Sequence, residues 1–285
     1  MSDDFLKFTY KLMTLLLFGA CSLLPQEDLQ STKHPPDQIK TSLDKLTPNH
    51  LDPTQKKLCL KRNTRACNKL ARELEEHDDE RAKKFYSISC NLNNAYGCYK
   101  TGYLVGKKGR LKLARSYFAK ACRLENAHAC FEIATKREQE ADLSAALHLY
   151  RKACQKKSTD ACKRLGLYFF SNKKDEKAIV FFKKACVLED DAGCFNLGII
   201  YNDRHDEQQA MTYFSTACEL GSLKGCLNSS SLYSIKNKLH KSYDELKRAK
   251  NLGFTDWQDI ENDPSFTNLK RYRKFQLLKT PSLRQ

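Results

Sequence analysis

Twelve cysteines fall into six pairs with a constant separation of eight: Cys59/Cys67, Cys90/Cys98, Cys122/Cys130, Cys154/Cys162, Cys186/Cys194 and Cys218/Cys226. Successive first members lie 31, 32, 32, 32 and 32 residues apart, and the thirteenth cysteine, Cys21, stands outside the array. Self-similarity at a fixed period of this size marks a repeat architecture, in which each unit buries its apolar face only against its neighbours. A chain so patterned folds as a stack of small units rather than around one closed core.

Other residues keep the same register. Ala82, Ala114, Ala146, Ala178 and Ala210 each lie eight before a first cysteine, and Tyr86, Phe118, Tyr150, Phe182 and Phe214 lie four before it. Ala121, Ala153, Ala185 and Ala217 directly precede it, while Thr101-Gly102, Leu165-Gly166 and Leu197-Gly198 follow the second cysteine. Offsets of three, four and eight describe one face of a helix. Only 11 Gly and 7 Pro in 285 residues argue against an all-β chain of many tight turns. Each unit therefore reads as helix, turn, helix, for instance near Ala145–Lys156 and Asp160–Ser171, with Thr135–Asp142 and Ser171–Glu176 as connectors. Small residues let the helices approach, and the aromatics fill the space between units.

The i, i+8 spacing puts one cysteine at the end of a helix and its mate near the start of the next. That neck can bring two Cα atoms within the roughly 4.4–6.8 Å that a disulfide requires. Two other readings stand beside it. The cysteines can be small buried apolar residues, or they can be metal ligands, although a spacing of eight with no companion His suits zinc poorly. The N-terminus bears on the choice, because disulfides need an oxidising compartment. Lys7 and Lys11, then the apolar run Leu12–Ala20, have the layout of a secretory signal. The apolar stretch ends at Leu24, short of the roughly 20 residues that span a bilayer. Phe18-Gly19-Ala20-Cys21 resembles a bacterial lipoprotein box, with Phe18 in place of the usual Leu and Asp3 and Asp4 unusual for such a leader. The resemblance implies cleavage after residue 20, a lipid on Cys21 and a membrane anchor without a spanning helix.

The unit A-x-x-x-[YF]-x-x-[AS]-C-x7-C-x-x-x-G, seen as Ala146, Tyr150, Ala153-Cys154, Cys162 and Gly166, resembles the Sel1-like branch of tetratricopeptide-type repeats. The cysteine pairs resemble its cysteine-rich subgroup, the Helicobacter cysteine-rich proteins. That resemblance implies an all-α, right-handed α-solenoid of disulfide-stapled helix-turn-helix repeats. The organisation expected is a signal over 1–20, a flexible tether over 21–48 with Pro35-Pro36, six repeats over 49–241, and a degenerate repeat with a cap over 242–285. The cap begins with Ser242–Leu252, which keeps the helix register but has Lys250 where a cysteine falls due.

Catalytic constellations are sparse. The seven histidines (His34, His50, His77, His128, His148, His205 and His240) share no repeat register, and there is no HExxH, GxSxG, P-loop or GxGxxG. Relatives in the cysteine-rich subgroup are named β-lactamases or penicillin binders, so the resemblance implies that alternative. A serine β-lactamase needs SxxK with SDN and KTG companions. Ser42-Leu43-Asp44-Lys45 and Ser171-Asn172-Lys173-Lys174 have neither companion, and Lys279-Thr280 is followed by Pro281. No cofactor and no metal site is expected; the acidic runs Glu73–Glu80 and Glu138–Asp142 read as solvated helix ends. The favoured function is a protein–protein interaction scaffold of a bacterial cell envelope, lipid-anchored on the periplasmic or outer side and binding a protein or peptide in a solenoid groove. A net charge of +16 supports a further alternative, a basic surface protein that binds an anionic polymer, without the specific reading element that nucleic-acid recognition requires.

Overall fold

The computed structural model describes residues 52–279, and among them there is no strand. Signal, tether and Cys21 lie outside the described residues. Helices α1 (Pro53–Leu60) and α2 (Thr64–Glu75) open an array of eleven further helices of 13 residues each. These are α3 (Asp79–Asn91), α4 (Ala95–Lys107), α5 (Leu111–Arg123), α6 (Ala127–Gln139), α7 (Leu143–Gln155), α8 (Thr159–Ser171), α9 (Asp175–Val187), α10 (Asp191–Asp203), α11 (Glu207–Glu219), α12 (Leu223–Ile235) and α13 (Leu239–Asn251). Thirteen helical residues plus a three-residue turn make sixteen, and two such elements make the period of 32.

The turn is the same almost everywhere. After α3, Leu92 ends the helix, Asn93 adopts φ +58°, and Asn94 starts α4. The amide of Asn93 donates to the Cys90 carbonyl and that of Asn94 to the Ser89 carbonyl, closing the helix end in a left-handed motif. The side chain of Asn94 then accepts from the Gly97 amide at 2.9 Å, capping α4. Positive φ recurs at intervals of 16 from Asn93 to Gly253, mostly on residues other than glycine: Glu125, Ala141, Lys157, Lys173, Glu189, His205 and Asn237. The turn between α2 and α3 lacks this residue; both the His77 and Asp78 amides return to the Leu74 carbonyl. With α2 one residue short, this accounts for the first interval of 31. The expected connector Thr135–Asp142 is likewise shorter in fact, since α6 runs on to Gln139.

Helices that neighbour in sequence pack antiparallel, and those two apart also touch (α8 with α10, α11 with α13), so the array has two layers. The even-numbered helices α2 to α12 carry the second cysteines, and the odd-numbered helices α1 to α11 the first. Between the layers, the aromatic column meets the small-residue column of the preceding helix. A Cβ on Gly166 would lie 2.5 Å from the Phe182 ring, and one on Gly198 would lie 2.4 Å from the Phe214 ring. Glycine is required there by close approach, not by backbone angle. Ala82, Ala114, Ala146, Ala178 and Ala210, together with the aromatics Tyr86, Tyr150, Phe182 and Phe214, are buried.

All six expected cysteine pairs are bonded. The Cα–Cα distances are 4.7 Å for Cys59–Cys67, 4.3 Å for Cys90–Cys98 and 4.7 Å for Cys122–Cys130. They are 4.8 Å for Cys154–Cys162, 4.7 Å for Cys186–Cys194 and 4.5 Å for Cys218–Cys226. Eleven of the twelve cysteines are buried, Cys186 only partly. The second members lie near the starts of their helices, as the spacing implies: Cys67, Cys98, Cys130, Cys162, Cys194 and Cys226 stand fourth in α2, α4, α6, α8, α10 and α12. The first turn of each even helix is spent on the cap, and its fourth residue is the earliest that faces back across the neck. The two readings that rival a disulfide need correcting. Bonded sulfurs at Cys67, Cys98, Cys130 and Cys194 are neither free apolar thiols nor thiolate ligands.

Through the middle of the array, helices joined without a disulfide (α6 with α7, α8 with α9, α10 with α11) pack more extensively than those joined by one (α7 with α8, α9 with α10). The tightest hairpin is thus half a repeat out of phase with the unit read from the cysteines. Each disulfide clamps the junction between one close-packed hairpin and the next.

The C-terminal end is closed by α13 and the short elements α14 (Trp257–Asn262), a 3-10 turn (Pro264–Phe266), α15 (Thr267–Lys270) and α16 (Phe275–Lys279). Ile260, Phe266, Leu269, Phe275 and Leu278 gather on Leu246 and Ala249 of α13. They cover the face that a further repeat would otherwise occupy. Under this cap lies a polar seam. The Ser230 hydroxyl donates to the Ser242 carbonyl at 2.7 Å, the Ser242 hydroxyl to the Ser230 carbonyl at 2.8 Å, and the Leu269 amide to the Ser234 hydroxyl at 3.3 Å.

Candidate functional site

On each second-cysteine helix, four residues at i, i+3, i+4 and i+7 form a stripe that no neighbouring helix covers fully. On α4 it is Tyr96, Tyr99, Lys100 and Tyr103; on α6, His128, Phe131, Glu132 and Thr135; on α8, Asp160, Lys163, Arg164 and Leu167; on α10, Ala192, Phe195, Asn196 and Ile199. None of these is buried, and Tyr103 and Leu167 are 51% and 41% exposed. The stripe exists because the cysteine and the small residue four positions after it occupy the opposite face of the same helix, toward the other layer. Cys98, Cys130 and Cys194 are each 0% exposed and Cys67 likewise, so the disulfides support the stripe from behind and contribute no atom to it.

The stripes connect from helix to helix. The Tyr99 ring stands 5.6 Å from His128 on α6 and 5.9 Å from Phe118 on α5. Phe131 lies 5.6 Å from Tyr150, and Phe195 lies 5.5 Å from Phe214, so these two surface rings rest on core rings. Lys100 pairs with Glu75 and lies over the rings of Tyr86 and Tyr103. Lys163 reaches Asp190 across the junction at 2.9 Å and Asp160 at 3.4 Å. Burial opposes the charge on Lys163, but those two carboxylates outweigh it and hold the ammonium above its ordinary range. Burial, followed by the Glu132 charge, raises the Tyr99 phenol. Beneath the stripe, the Tyr150 hydroxyl donates to Glu138 at 2.7 Å and that of Tyr86 to Glu75 at 2.8 Å. Desolvation first raises both phenols; Glu75 adds to it at Tyr86, and at Tyr150 Glu138 adds to it against the opposing effect of Thr135. The result is a fixed surface of aromatic rings, hydrogen-bond donors and charges, suited to holding a partner.

Residues with catalytic potential are not brought together. Ser171, of the Ser171–Lys174 motif, ends α8 and donates to the Tyr168 carbonyl at 3.0 Å, while Lys174 starts α9 on the exposed surface. Ser42–Lys45 and Lys279-Thr280-Pro281 fall wholly or partly outside the described residues. His128 packs on Tyr99, and His240 pairs with Asp244 at 2.8 Å on its own helix. An open depression of about 300 Å³ is lined by Cys218, Glu219, Gly221, Arg248, Asn251 and Leu252, a set with no nucleophile beside a base. Glu245 lies against Cys218 and Cys226, within 4.8 Å of their sulfurs, but those atoms are bonded to each other and offer no thiolate.

A family model described as Sel1 repeat matches residues 64–94, 95–126, 127–158, 159–188 and 191–222. Its repeats pair a second-cysteine helix with the first-cysteine helix that follows, the same phase as the tightest packing. A Sel1 repeat protein from Oxalobacter formigenes is similar in structure, with a TM-score of 0.57 and 16% identity over 76% of this chain and 98% of that one. PilF of Pseudomonas aeruginosa is more distant, with a TM-score of 0.47 and 15% identity over 73% of this chain and 96% of that one. At these identities the likeness shows the fold alone. No curated protein sequence matches the chain.

Proposed function

The chain belongs to the Sel1 repeat family, and from that premise we propose that it is an exported scaffold gripping a protein or peptide partner across the stripes of α4, α6, α8 and α10. Repeats of this kind are protein-binding scaffolds, and six disulfides suit an oxidising extracellular or periplasmic setting. No helix among the described residues is long and apolar enough to cross a membrane. The anchor in this reading is a lipid on Cys21, which holds the array at a bacterial envelope surface.

One observation carries the reading: the stripe changes chemistry from helix to helix while the residues that build the repeat stay constant. It is aromatic on α4, mixed on α6, charged on α8, and apolar with one amide on α10. A row of different subsites reads an extended partner one segment at a time. Surface rings that rest on core rings lose little freedom on binding, which makes them efficient anchors.

The test is site-specific photocrosslinking in cells. A crosslinking residue in place of Tyr103 or Leu167 should capture a discrete protein band, and one in place of Val180, on the other layer, should not. Equal capture at all three positions refutes the stripe. Cys21→Ser should release the chain from the membrane fraction; retention there refutes the anchor.

A further inference from the structure

The first-cysteine layer presents a second surface of opposite design. Lys120, Lys152 and Lys184 occupy the same place, tenth of thirteen, in α5, α7 and α9. Arg151 and Lys183 stand directly before the last two. No Asp or Glu occurs over residues 111–124, 143–157 or 177–188. On α4, α6, α8 and α10, by contrast, six bases are matched by five acids, whereas α5, α7 and α9 carry nine bases against only Asp175 and Glu176, so basic charge collects on these three first-cysteine helices.

The strip is also poorly neutralised from outside. The acids facing it are Glu140, which pairs with Arg115 at 3.3 Å, and Glu125, which pairs with Lys156 at 2.7 Å and also feels Lys152. Asp175 and Glu176, in the first turn of α9, are taken by Arg204. Among the described residues, Lys120, Lys152, Lys184, Arg151 and Lys183 have no carboxylate within 4 Å. Lys120 is partly desolvated and sits near Arg123, and both effects hold its ammonium below the ordinary range. A cation in the last turn of one helix answers the helix dipole. The dipole does not account for acid-free segments in three successive repeats, or for the doubled bases on α7 and α9.

We infer that the strip formed by Lys120, Lys152, Lys184 and their basic neighbours is a binding surface for a linear polymer bearing phosphate or sulfate at regular intervals. Where the partner stripe varies from helix to helix, this strip repeats the same group at the same place. A periodic row of cations complements a ligand that is itself periodic, whereas the surface of a folded protein has no such repeat. Attraction between such arrays comes chiefly from release of the polymer's condensed counterions, so binding should weaken steeply with salt.

The experiment uses the oxidised full chain and fluorescence anisotropy with labelled inorganic polyphosphate and, separately, labelled heparin. The triple variant Lys120→Gln, Lys152→Gln, Lys184→Gln should weaken binding at least tenfold at moderate salt. It should also flatten the dependence of log K on log salt by about three, roughly one unit per lost contact. Replacing the exposed Lys61, Lys224 and Lys274 by Gln removes the same charge elsewhere and should change affinity less than threefold. Binding to only one of the two polymers supports the proposal and identifies phosphate or sulfate as the charge read. Equal losses from the two triples overturn it, leaving bulk charge alone. Stronger binding to phosphatidylglycerol vesicles or to polyglutamate, lost in the strip triple, overturns it in favour of a bilayer or an acidic protein.

Discussion

Replacing Gly198 by alanine adds a single methyl group, and the structure fixes the sign of the effect. The new Cβ would lie 2.4 and 2.5 Å from two carbons of the Phe214 ring and 2.9 Å from a third. Phe214 is 2% exposed, a rigid ring held between layers, and cannot swing aside. Overpacking of this kind costs roughly 1–3 kcal/mol. Against it, Gly to Ala inside a helix is worth up to about 1 kcal/mol. At contacts this short the clash dominates, and the variant should lose about 1–2 kcal/mol. Gly106→Ala is the matched control. Its Cβ would meet Ala114 at 3.4 Å, an ordinary contact, so the propensity gain stands and the protein should be as stable or more so. Urea titration followed by circular dichroism, disulfides intact, reads both as shifts of midpoint. Phe214→Leu should recover part of the loss in the Gly198→Ala background. If Gly198→Ala melts at the same urea concentration as wild type or higher, ring-to-glycine contact does not set the spacing of the layers.

Further outcomes follow from the same geometry. Cys154→Ala with Cys162→Ala should lower stability by roughly 2–3 kcal/mol from loop entropy alone, measured by urea titration against wild type under non-reducing conditions. Glu189→Gly places glycine at a residue with φ +62° and should raise the melting temperature, by relief of about 1 kcal/mol; an unchanged or lower value contradicts the turn geometry. Glu245 is 5% exposed, and burial raises its carboxyl above the ordinary range, although Ser215 donates to one oxygen at 2.5 Å. A raised acid favours the fold while protonated and loses that advantage as pH rises through its folded value. The stability of Glu245→Gln relative to wild type should therefore increase from the ordinary carboxylate range upward, and a flat difference across pH refutes the burial argument.

Much of this fold can be read in the sequence, because a repeat states its rule six times. The cysteine interval, the alanine eight before and the aromatic four before each locate the same helix faces that the structure buries. Helix ends are less legible. The left-handed turn residue is glycine at Gly109, Gly221 and Gly253, but at Glu125, Lys157, Lys173 and Glu189 it is an ordinary charged residue, so no glycine marks the boundary. That is why the stretch Thr135–Asp142 reads as connector although five of its residues are helical. The phase of the hairpin is likewise hidden, since cysteine pairs show which ends meet and not which helices pack most closely. The partner stripe left a partial trace: the residue after the second cysteine is aromatic or apolar at Tyr99, Phe131, Phe195 and Leu227, while Asn68 and Lys163 hold the same register with polar groups. Its exposure depends on how the helices stack, which spacing alone does not give. The serine seam at Ser230 and Ser242 breaks the pattern of small apolar residues, and its meaning appears only once the cap is seen above it.

The account rests on six closed junctions in an exported chain, and one mass measurement tests them together. Protein purified from its native membrane fraction is alkylated with and without prior reduction, and the intact mass is recorded. The account predicts that the twelve repeat cysteines, from Cys59–Cys67 to Cys218–Cys226, stay unreactive until reduced. It also predicts a chain beginning at Cys21, with a lipid-sized increment on that residue. Twelve freely alkylated thiols on a chain that still begins at Met1 would contradict both the clamped junctions and the export on which they depend.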